Sequence, residues 1–167
     1  MLSVLIPSYN DAKNLPIALA SALAVKSVSE IIVIDDNSID DTKELIQHVK
    51  IENNQIKYIK NKKNLGSGLS FIKALENSSN PYIIMLNSDD FFVPQAIDNL
   101  LEFLKNNKLD VAYGKMAIKK ESGIHNFQHP GYKKNSYIDD RNELKDLLIY
   151  DMYTPSFGSI IKKKSLN

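Results

Sequence analysis

The fold is decided by one stretch, Tyr82-Ile83-Ile84-Met85-Leu86-Asn87-Ser88-Asp89-Asp90, in which an apolar run stops at two adjacent carboxylates. The run Ile83–Leu86 is far shorter than the roughly 20 apolar residues that cross a bilayer, and it is typical of a strand buried on both faces. In an open α/β sheet, ligands bind in the crevice at the carboxyl ends of the strands. Asn87–Asp90 is therefore predicted to lie where such a fold performs its chemistry.

Two earlier apolar segments end in the same way. Ser3–Ile6 is predicted to be a short strand, and the polar loop Pro7–Asp11 follows it. Glu30–Ile34 is apolar and β-branched after its first residue, which favours a second buried strand, and Asp35-Asp36 ends it. Because the carboxyl ends of parallel strands lie at one edge of a sheet, these two loops and Asn87–Asp90 are expected to converge.

Helices are predicted between these strands. Pro16 suits the first turn of a helix that Asn14 or Asp11 would cap. Ser38–Asp41 has the pattern of a capping box with an acidic first turn, so a second helix is predicted over Asp40–His48.

The remaining segments continue this alternation at first and then change character. Further strands are predicted at Gln55–Lys60, Val111–Lys119, Ile124–Gln128 and Phe157–Ile161, and further helices at Leu69–Glu76, from Pro94 onward, and at Glu143–Ile149. Strands that alternate with helices predict an α/β fold with a Rossmann-like, mostly parallel sheet and helices on both faces. A length of 167 residues suits one domain.

Composition excludes several classes of function. The 21 basic and 20 acidic residues nearly cancel, so no net field favours a nucleic-acid partner, and Lys162–Lys164 is interpreted as a solvated end. The chain has no cysteine, which excludes disulfides and thiolate metal sites. Neither a signal peptide nor a membrane-spanning run is visible, so a cytoplasmic location is predicted.

A structural role is the main alternative for the acids in these loops. A carboxylate that follows a strand often caps the next helix, and Asp35, Asp40 and Asp41 are interpreted in that way. Asp89 and Asp90 differ, because they precede two phenylalanines rather than a helix start. Adjacent like charges near apolar surface repel unless a cation offsets them, and a divalent ion with oxygen ligands is the simplest explanation.

A metal held by few protein carboxylates usually completes its shell with substrate phosphates. A nucleotide diphosphate is therefore a sensible ligand for this edge of the sheet. Tyr9 offers an aromatic surface to a base, and Asp11 and Asp36 offer acceptors to ribose hydroxyls or to an imino group of the base.

Taken together, four motifs resemble the GT-A-fold glycosyltransferases of family 2. They occur in the order and at the spacing usual for that family, and the similarity covers roughly Met1 to Asn106. The motifs are Val4-Leu5-Ile6-Pro7-Ser8-Tyr9-Asn10-Asp11, Ile32-Val33-Ile34-Asp35-Asp36-Asn37-Ser38-Ile39-Asp40-Asp41-Thr42, Asn64-Leu65-Gly66, and Leu86-Asn87-Ser88-Asp89-Asp90.

The resemblance implies a transferase that passes a sugar, with inversion, from a nucleotide diphosphate sugar, commonly a UDP-sugar, to a hydroxyl of a saccharide or lipid-linked acceptor. It implies that Asp36 faces the uracil and that Asp89 binds Mn²⁺ or Mg²⁺ through the diphosphate. Peripheral association with the inner face of the membrane fits such an acceptor. The implied nucleotide-sugar contacts are Pro7, Ser8, Tyr9, Asp11, Asp36, Asn64, Gly66, Ser88 and Asp89.

The chain also departs from the family pattern. Asn87 replaces the first acid of the usual Asp-x-Asp, so one carboxylate contact to the donor is replaced by an amide. Ser67–Ile72 supplies no arginine or lysine for the phosphates, and Asn37 stands where glycine is usual, at a turn that favours a left-handed conformation.

The domain prediction follows from the resemblance. Residues 1–167 are expected to form a single GT-A-like domain truncated at its C-terminus, with a nucleotide-sugar-binding half at 1–110 and the start of an acceptor-side half at 111–167. The catalytic base of the family is expected beyond Asn167, so this segment alone is predicted to transfer little sugar. Asp139, Asp140 and Asp151 are interpreted as cap or loop residues, and His125 and His129 as loop residues.

Three other functions are alternatives to a glycosyltransferase. A non-catalytic nucleotide-sugar-binding or interaction domain of the same fold would suit Asn87 and the missing base. A phosphoacceptor receiver domain would place its acidic pair after the first strand, where this chain has Pro7. A dehydrogenase is disfavoured, because Gly66-Ser67-Gly68 lacks the third glycine of a dinucleotide-binding loop.

Overall fold

A computed structural model of the protein describes residues 1–114, 116–120, 122–127 and 158–166, with no side-chain detail at 116–120 and 124–127. Strands and helices alternate up to Asn106, as predicted. The elements are β1 (Leu2–Ser8), α1 (Leu15–Leu23), β2 (Val28–Asp35), α2 (Thr42–Glu52), β3 (Ile56–Lys60), α3 (Ser67–Glu76), β4 (Tyr82–Met85), α4 (Pro94–Asn106), β5 (Val111–Tyr113), β6 (Met116–Lys120), β7 (Gly123–Phe127), β8 (Ser159–Lys162) and a short 3₁₀ helix (Lys163–Leu166).

A six-stranded sheet in the order β3-β2-β1-β4-β8-β5 forms the centre of the molecule. β1 pairs in parallel with both β2 and β4, and β2 pairs in parallel with β3, so these four strands end at one edge. β8 runs antiparallel to both of its neighbours, β4 and β5. The prediction of a mostly parallel α/β sheet is confirmed.

Alternating residues of the buried strands face opposite sides of the sheet, as the two-residue period of a strand requires. Val4 and Val33 belong to the larger apolar cluster, which α1, α2 and α4 cover. Leu5 and Ile32 belong to a smaller cluster that includes Ala74 of α3. Helices therefore cover both faces, three on one side and α3 on the other within the described part of the chain.

Val111–Lys119 was predicted to be one strand, and the structure corrects this. β5 ends at Tyr113 in the large sheet, whereas β6 begins at Met116 and pairs only with β7, in a separate antiparallel hairpin. Gly114 lies at the break, and glycine weakens a strand because it costs backbone entropy and packs no side chain.

The ends of several elements also differ from prediction. β8 covers Ser159–Lys162 instead of Phe157–Ile161, and α2 begins two residues later and ends four residues later than Asp40–His48. Phe157 and the predicted helix at 143–149 lie outside the described residues.

The predicted helix caps are wrong in detail. Asn14 stands at the N-cap of α1, but its side chain donates to Asp11 Oδ1 at 2.7 Å and caps nothing. Asp41 stands at the N-cap of α2 without a side-chain hydrogen bond, so no capping box forms. The acid that serves the first turn is Asp40, whose Oδ1 accepts from the backbone N–H and the hydroxyl of Thr42.

No helix among the described residues is long and apolar enough to cross a membrane. The left-handed conformation predicted for Asn37 is confirmed, with φ at 68°.

Candidate functional site

The three predicted loops meet at the carboxyl edge of the parallel strands and surround an open cleft of about 340 Å³. Seven of its lining residues are among those predicted: Pro7, Ser8, Tyr9, Asp11, Asp36, Ser88 and Asp89. Four other lining residues are absent from the predicted nucleotide-sugar contacts, although Asn10 and Asn87 belong to the loops predicted to converge: Asn10, Asn14, Ser67 and Asn87.

Reciprocal hydrogen bonds join the loops that follow β1 and β2. The Asn10 N–H donates to Ser38 Oγ, and the Ile39 N–H donates to Asn10 Oδ1, both at 2.9 Å. The Ala12 N–H donates to Asp40 Oδ2, also at 2.9 Å. Asn10 adopts a positive φ of 50°, which asparagine tolerates better than most residues. Two short loops thus behave as one wall of the cleft.

Tyr9 and Ser8 are residues of this wall that line the cleft. Tyr9 is 50% exposed. Ser8 is 3% exposed, and its hydroxyl has no hydrogen-bond partner within the described residues. A buried hydroxyl without a partner is costly in a folded protein, which makes it a candidate contact for a ligand.

Asp36 lines the cleft and also holds the loop that follows β3. Its Oδ1 accepts from Asn61 Nδ2 at 2.7 Å and from the Leu65 N–H at 2.8 Å, while its Oδ2 accepts from the Gly66 N–H at 2.7 Å. Burial acts to raise the pKa of Asp36, but the hydrogen bonds from Asn61, Leu65 and Gly66 outweigh it and hold the pKa below its ordinary value. Asp36 is therefore ionised at neutral pH.

Asn64 and Gly66 are exposed and are absent from the lining of the cleft, although the Gly66 N–H donates to Asp36. Asn64 Oδ1 accepts from the Gly66 N–H at 3.0 Å. Gly66 has a φ of 85°, a conformation that residues with side chains rarely adopt, which accounts for glycine directly before α3. Ser67, the first residue of α3, lines the cleft in their place.

Asp35, the neighbour of Asp36, has a structural environment. Its side chain is fully buried and accepts from the Ser38 N–H and from the Tyr58 hydroxyl, with Lys60 Nζ at 3.4 Å. Burial acts to raise the pKa of Asp35, yet the bonds from Tyr58 and Ser38 hold it below its usual range. The interpretation of Asp35 as structural is consistent with these contacts, although it does not cap a helix.

The loop after β4 supplies a further acid to the cleft, in addition to Asp11 and Asp36. Ser88 is buried, whereas Asp89 is exposed and lines the cleft. Asn87 donates through Nδ2 to Asp90 Oδ2 at 3.1 Å. The amide that replaces an acid is thus tied to the next acid along the loop.

The donor set at this loop suits a hard cation. No group of three His, Cys, Asp or Glu side chains that could hold a metal occurs in the part of the chain that the structure describes. Asp89 instead offers one exposed carboxylate beside the open cleft, and Mg²⁺ or Mn²⁺ commonly takes one or two carboxylates and completes its shell with substrate oxygens. The residues present fit an ion that is bound together with a phosphate ligand.

A second cleft, of about 290 Å³, adjoins the first. It is lined by Asn14, Ile17, Asp89 and Phe91, and two of these, Asn14 and Asp89, also line the first cleft. Ile17 and Phe91 are both exposed, so the second cleft has apolar side chains at its rim.

Sequence reasoning missed the buried residues Asn61 and Ser70 and the half-buried Lys73, which form a hydrogen-bonded network on Asp36. Lys73 is the first cation after the stretch Ser67–Ile72, but its Nζ donates to Asn61 Oδ1. The sequence gives one indication of this network, the polar residue Asn61 directly after the predicted strand Gln55–Lys60. Asp139, Asp140, Asp151 and His129 lie outside the described residues, and the same holds for the side chain of His125.

The model of the family described as glycosyl transferase family 2 matches residues 3–166. A curated relative, the GalNAc(5)-diNAcBac-PP-undecaprenol beta-1,3-glucosyltransferase of Campylobacter jejuni, is 31% identical over 175 residues, which cover 99% of this chain and 52% of that protein. The chain spans about half the length of the curated relatives it matches.

Two solved structures share the fold. Staphylococcus aureus TarS 1–349 in complex with UDP matches with a TM-score of 0.73 and 20% identity, over 99% of this chain and 47% of that chain. The mannosyltransferase PcManGT from Pyrobaculum calidifontis, in complex with GDP-Man and Mn²⁺, matches with a TM-score of 0.61 and 15% identity, over 66% of this chain and 34% of that chain.

Proposed function

This chain belongs to glycosyl transferase family 2, and on that premise we propose that it binds a nucleotide diphosphate sugar, with UDP as the nucleotide, and passes the sugar with inversion to a hydroxyl acceptor. The observation that carries the proposal is the single cleft that gathers Tyr9, Asp36 and Asp89 from the loops after β1, β2 and β4. β2 and β4 flank β1, so their ends are about 10 Å apart. That span suits an extended ligand with chemically different ends.

The end of the cleft near β2 suits a base. Tyr9 is half exposed and offers an aromatic face, and the Asp36 carboxylate is ionised and accepts hydrogen bonds only. A uracil ring presents both a flat face and an imino N–H. The bound UDP of the TarS complex supports uridine as the nucleoside.

The end near β4 suits a diphosphate held together with a divalent cation. We assign Asp89 as the protein carboxylate that holds Mn²⁺ or Mg²⁺, and Ser88 as a contact to the donor. When bound, such an ion neutralises the charge that builds on the departing diphosphate. The Mn²⁺ in the PcManGT complex supports this assignment.

The second cleft suits the acceptor, since it meets the first at Asp89, where the transferred sugar would lie. Phe91 and Ile17 offer apolar surface against which one face of a saccharide can pack. The undecaprenol-linked substrate in the name of the Campylobacter jejuni relative supports a lipid-linked acceptor, and with it a cytoplasmic site at the inner face of the membrane.

Among the residues that the structure describes, those that line the two clefts lie between Pro7 and Phe91. This supports the division into a nucleotide-sugar-binding half at 1–110 and an acceptor-side half that begins at 111. We propose that residues 1–167 alone bind the donor but transfer little sugar. A transfer assay with a labelled UDP-sugar tests this, and robust transfer by the purified chain would contradict it. The expected position of the base, after Asn167, stays a prediction.

Calorimetric titration with UDP tests the proposed donor site. The wild-type chain should bind UDP more tightly with Mn²⁺ than without it. Asp89→Asn should weaken binding in the presence of Mn²⁺ on the order of tenfold or more, since loss even of an outer partner of a metal ligand costs that much. Without metal, the two proteins should bind UDP equally.

Asp90→Asn is the matched control, because Asp90 is the adjacent exposed acid, lies outside the lining of either cleft, and keeps an acceptor for Asn87 after the change. Its UDP affinity with Mn²⁺ should fall much less than that of Asp89→Asn. Equal losses in the two variants would show general electrostatic attraction and sink the metal assignment. Failure of the wild-type chain to bind UDP would overturn the donor site as a whole.

A further inference from the structure

Asn61 is a buried polar residue that does not line either cleft but contacts Asp36, which lines the first one. It follows β3 directly and is 3% exposed. Its side chain nevertheless makes three hydrogen bonds. Nδ2 donates to Asp36 Oδ1 at 2.7 Å and to Ser70 Oγ at 3.0 Å, and Oδ1 accepts from Lys73 Nζ at 2.6 Å.

The chemistry of the neighbours fixes which way the Asn61 amide points. An ammonium group only donates hydrogen bonds, and an ionised carboxylate only accepts them. The amide oxygen must therefore face Lys73, and the amide nitrogen must face Asp36. Reversing the amide would break both contacts, so Lys73 holds Asn61 in the one orientation that serves Asp36.

Asp36, which Asn61 holds in place, in turn holds the loop before α3. Both of its oxygens accept backbone N–H groups, from Leu65 and Gly66. These amides lie at the start of α3, where a helix favours a negative charge. No ion pair to Asp36 occurs within the described residues, so the cation of the network, Lys73, acts on it through the Asn61 amide.

From these contacts we propose that Asn61, with Lys73 behind it, is a positioning residue for the base of the nucleotide. It holds the Asp36 carboxylate and, through it, the loop 64–66 in the arrangement that receives an imino N–H. The inference rests on the proposed function, since it concerns the base end of the same cleft. It assigns a role to a residue that neither lines the cleft nor belongs to any of the four motifs.

The position of the network predicts that its loss affects the base and spares the diphosphate. Two variants test it: Asn61→Leu, which keeps the approximate volume without polar atoms, and Lys73→Met, which keeps the aliphatic stem. Each should weaken binding of UDP and of uridine about fivefold, the worth of a typical hydrogen bond. Binding of pyrophosphate with Mn²⁺ should stay at the wild-type value.

Hydrogen exchange gives a second readout that does not depend on ligand. The Leu65 and Gly66 amides should exchange about fivefold faster in Lys73→Met than in the wild type, while the amides of β1 and β2 keep their rates. Lys63→Met is the matched control, because Lys63 is an exposed lysine of the same loop region. It should change neither the exchange rates nor the affinity for uridine.

The outcomes separate the two proposals. Should the wild-type chain fail to bind UDP, the proposed function falls. If it binds UDP, and Lys73→Met binds UDP and uridine as tightly as the wild type does, the positioning role of Asn61 is refuted. Equal weakening of uridine and pyrophosphate binding would also refute it, since a merely structural defect lowers both. Lys73 is only half-buried, so Lys73→Met remains informative even where Asn61→Leu does not fold.

Discussion

Strand β2 carries a buried carboxylate near each end, Glu30 close to its start and Asp36 just after its last residue. Glu30 accepts from the side chains of Ser3, Lys57 and Ser79 and from the Ser79 N–H, so its partners come from three directions and include a cation. Asp36 accepts mainly from the amides of one loop and also lines a cleft.

The difference shows what distinguishes a structural acid from a candidate binding acid in this fold. Both residues are almost completely buried, at 4% for Glu30 and 3% for Asp36. Burial therefore does not separate them. Glu30 is enclosed by side chains at the edge where the parallel strands begin, whereas Asp36 lies at the edge where they end and has an open side. What marks Asp36 as a candidate binding residue is that it lines a cleft, since both acids are held by several hydrogen bonds.

The largest effect is expected from Glu30→Gln. Each Glu30 oxygen accepts two hydrogen bonds, so the new amide NH₂ would face two of these donors where an acceptor stood, and the free energy of unfolding should fall by about 2 kcal/mol. Urea denaturation measures it, with Glu76→Gln on the exposed surface of α3 as the control, which should stay within about 0.5 kcal/mol of the wild type. UDP affinity of the folded variant should not change. A loss of UDP affinity with unchanged stability would contradict the structural role of Glu30.

A pH series sharpens the same comparison. Burial opposes ionisation of Glu30, but the hydrogen bonds from Lys57, Ser3 and Ser79 lower its pKa to about 2 in the folded chain, from 4.5. A carboxylate with a lowered folded pKa binds more protons when the chain unfolds. Its contribution is therefore complete above about pH 4.5 and is lost as the pH falls toward about 2. The stability difference between the wild type and Glu30→Gln should shrink over that range, and a constant difference would contradict the assignment.

A smaller effect is expected from Tyr58→Phe, which tests the third acid of the strand. The Tyr58 hydroxyl donates to Asp35, and burial together with that bond raises the pKa of Tyr58. Its removal leaves Ser38 and Lys60 as partners of Asp35, so unfolding should become about 1 kcal/mol easier. Tyr82→Phe is the control and should have little effect. UDP affinity should be unchanged in both variants. A change of UDP affinity in Tyr58→Phe would show that Asp35 contributes to binding.

The smallest effect is expected from Asn37→Gly, next to Asp36. Asn37 has a φ of 68°, which glycine adopts without strain but at a higher entropy cost on folding. These terms nearly cancel, so stability should change by less than about 1 kcal/mol in thermal denaturation. UDP affinity should stay the same. A clear loss of UDP affinity would show that the Asn37 side chain takes part in binding and belongs to the binding site with Asp36.

The sequence predicted the order of elements and the convergence of three loops, because both depend on patterns local to the chain. Four apolar residues before Asp35 and four before Asn87 specify buried strands whatever surrounds them. The polar residues after parallel strands must then share an edge.

Contacts between distant segments could not be predicted in this way. Asn61 and Lys73 are 12 residues apart, and their meeting depends on how α3 packs beside β3. The caps failed for the same reason, since Asp40 also reaches across to the Ala12 N–H, and such a partner is invisible in a local pattern. The break at Gly114 depended on whether a second sheet was available to receive β6.

The place of β8 in the sheet has a consequence for how the chain folds during synthesis. β3, β2, β1 and β4 are complete once Met85 has been made, but the outer edge of β4 gains its partner only with Ser159–Lys162. β5 likewise pairs with β8 and with no other described strand. An unpaired edge is a template for association with other chains. A nascent chain halted between these points should therefore aggregate more readily than the finished one.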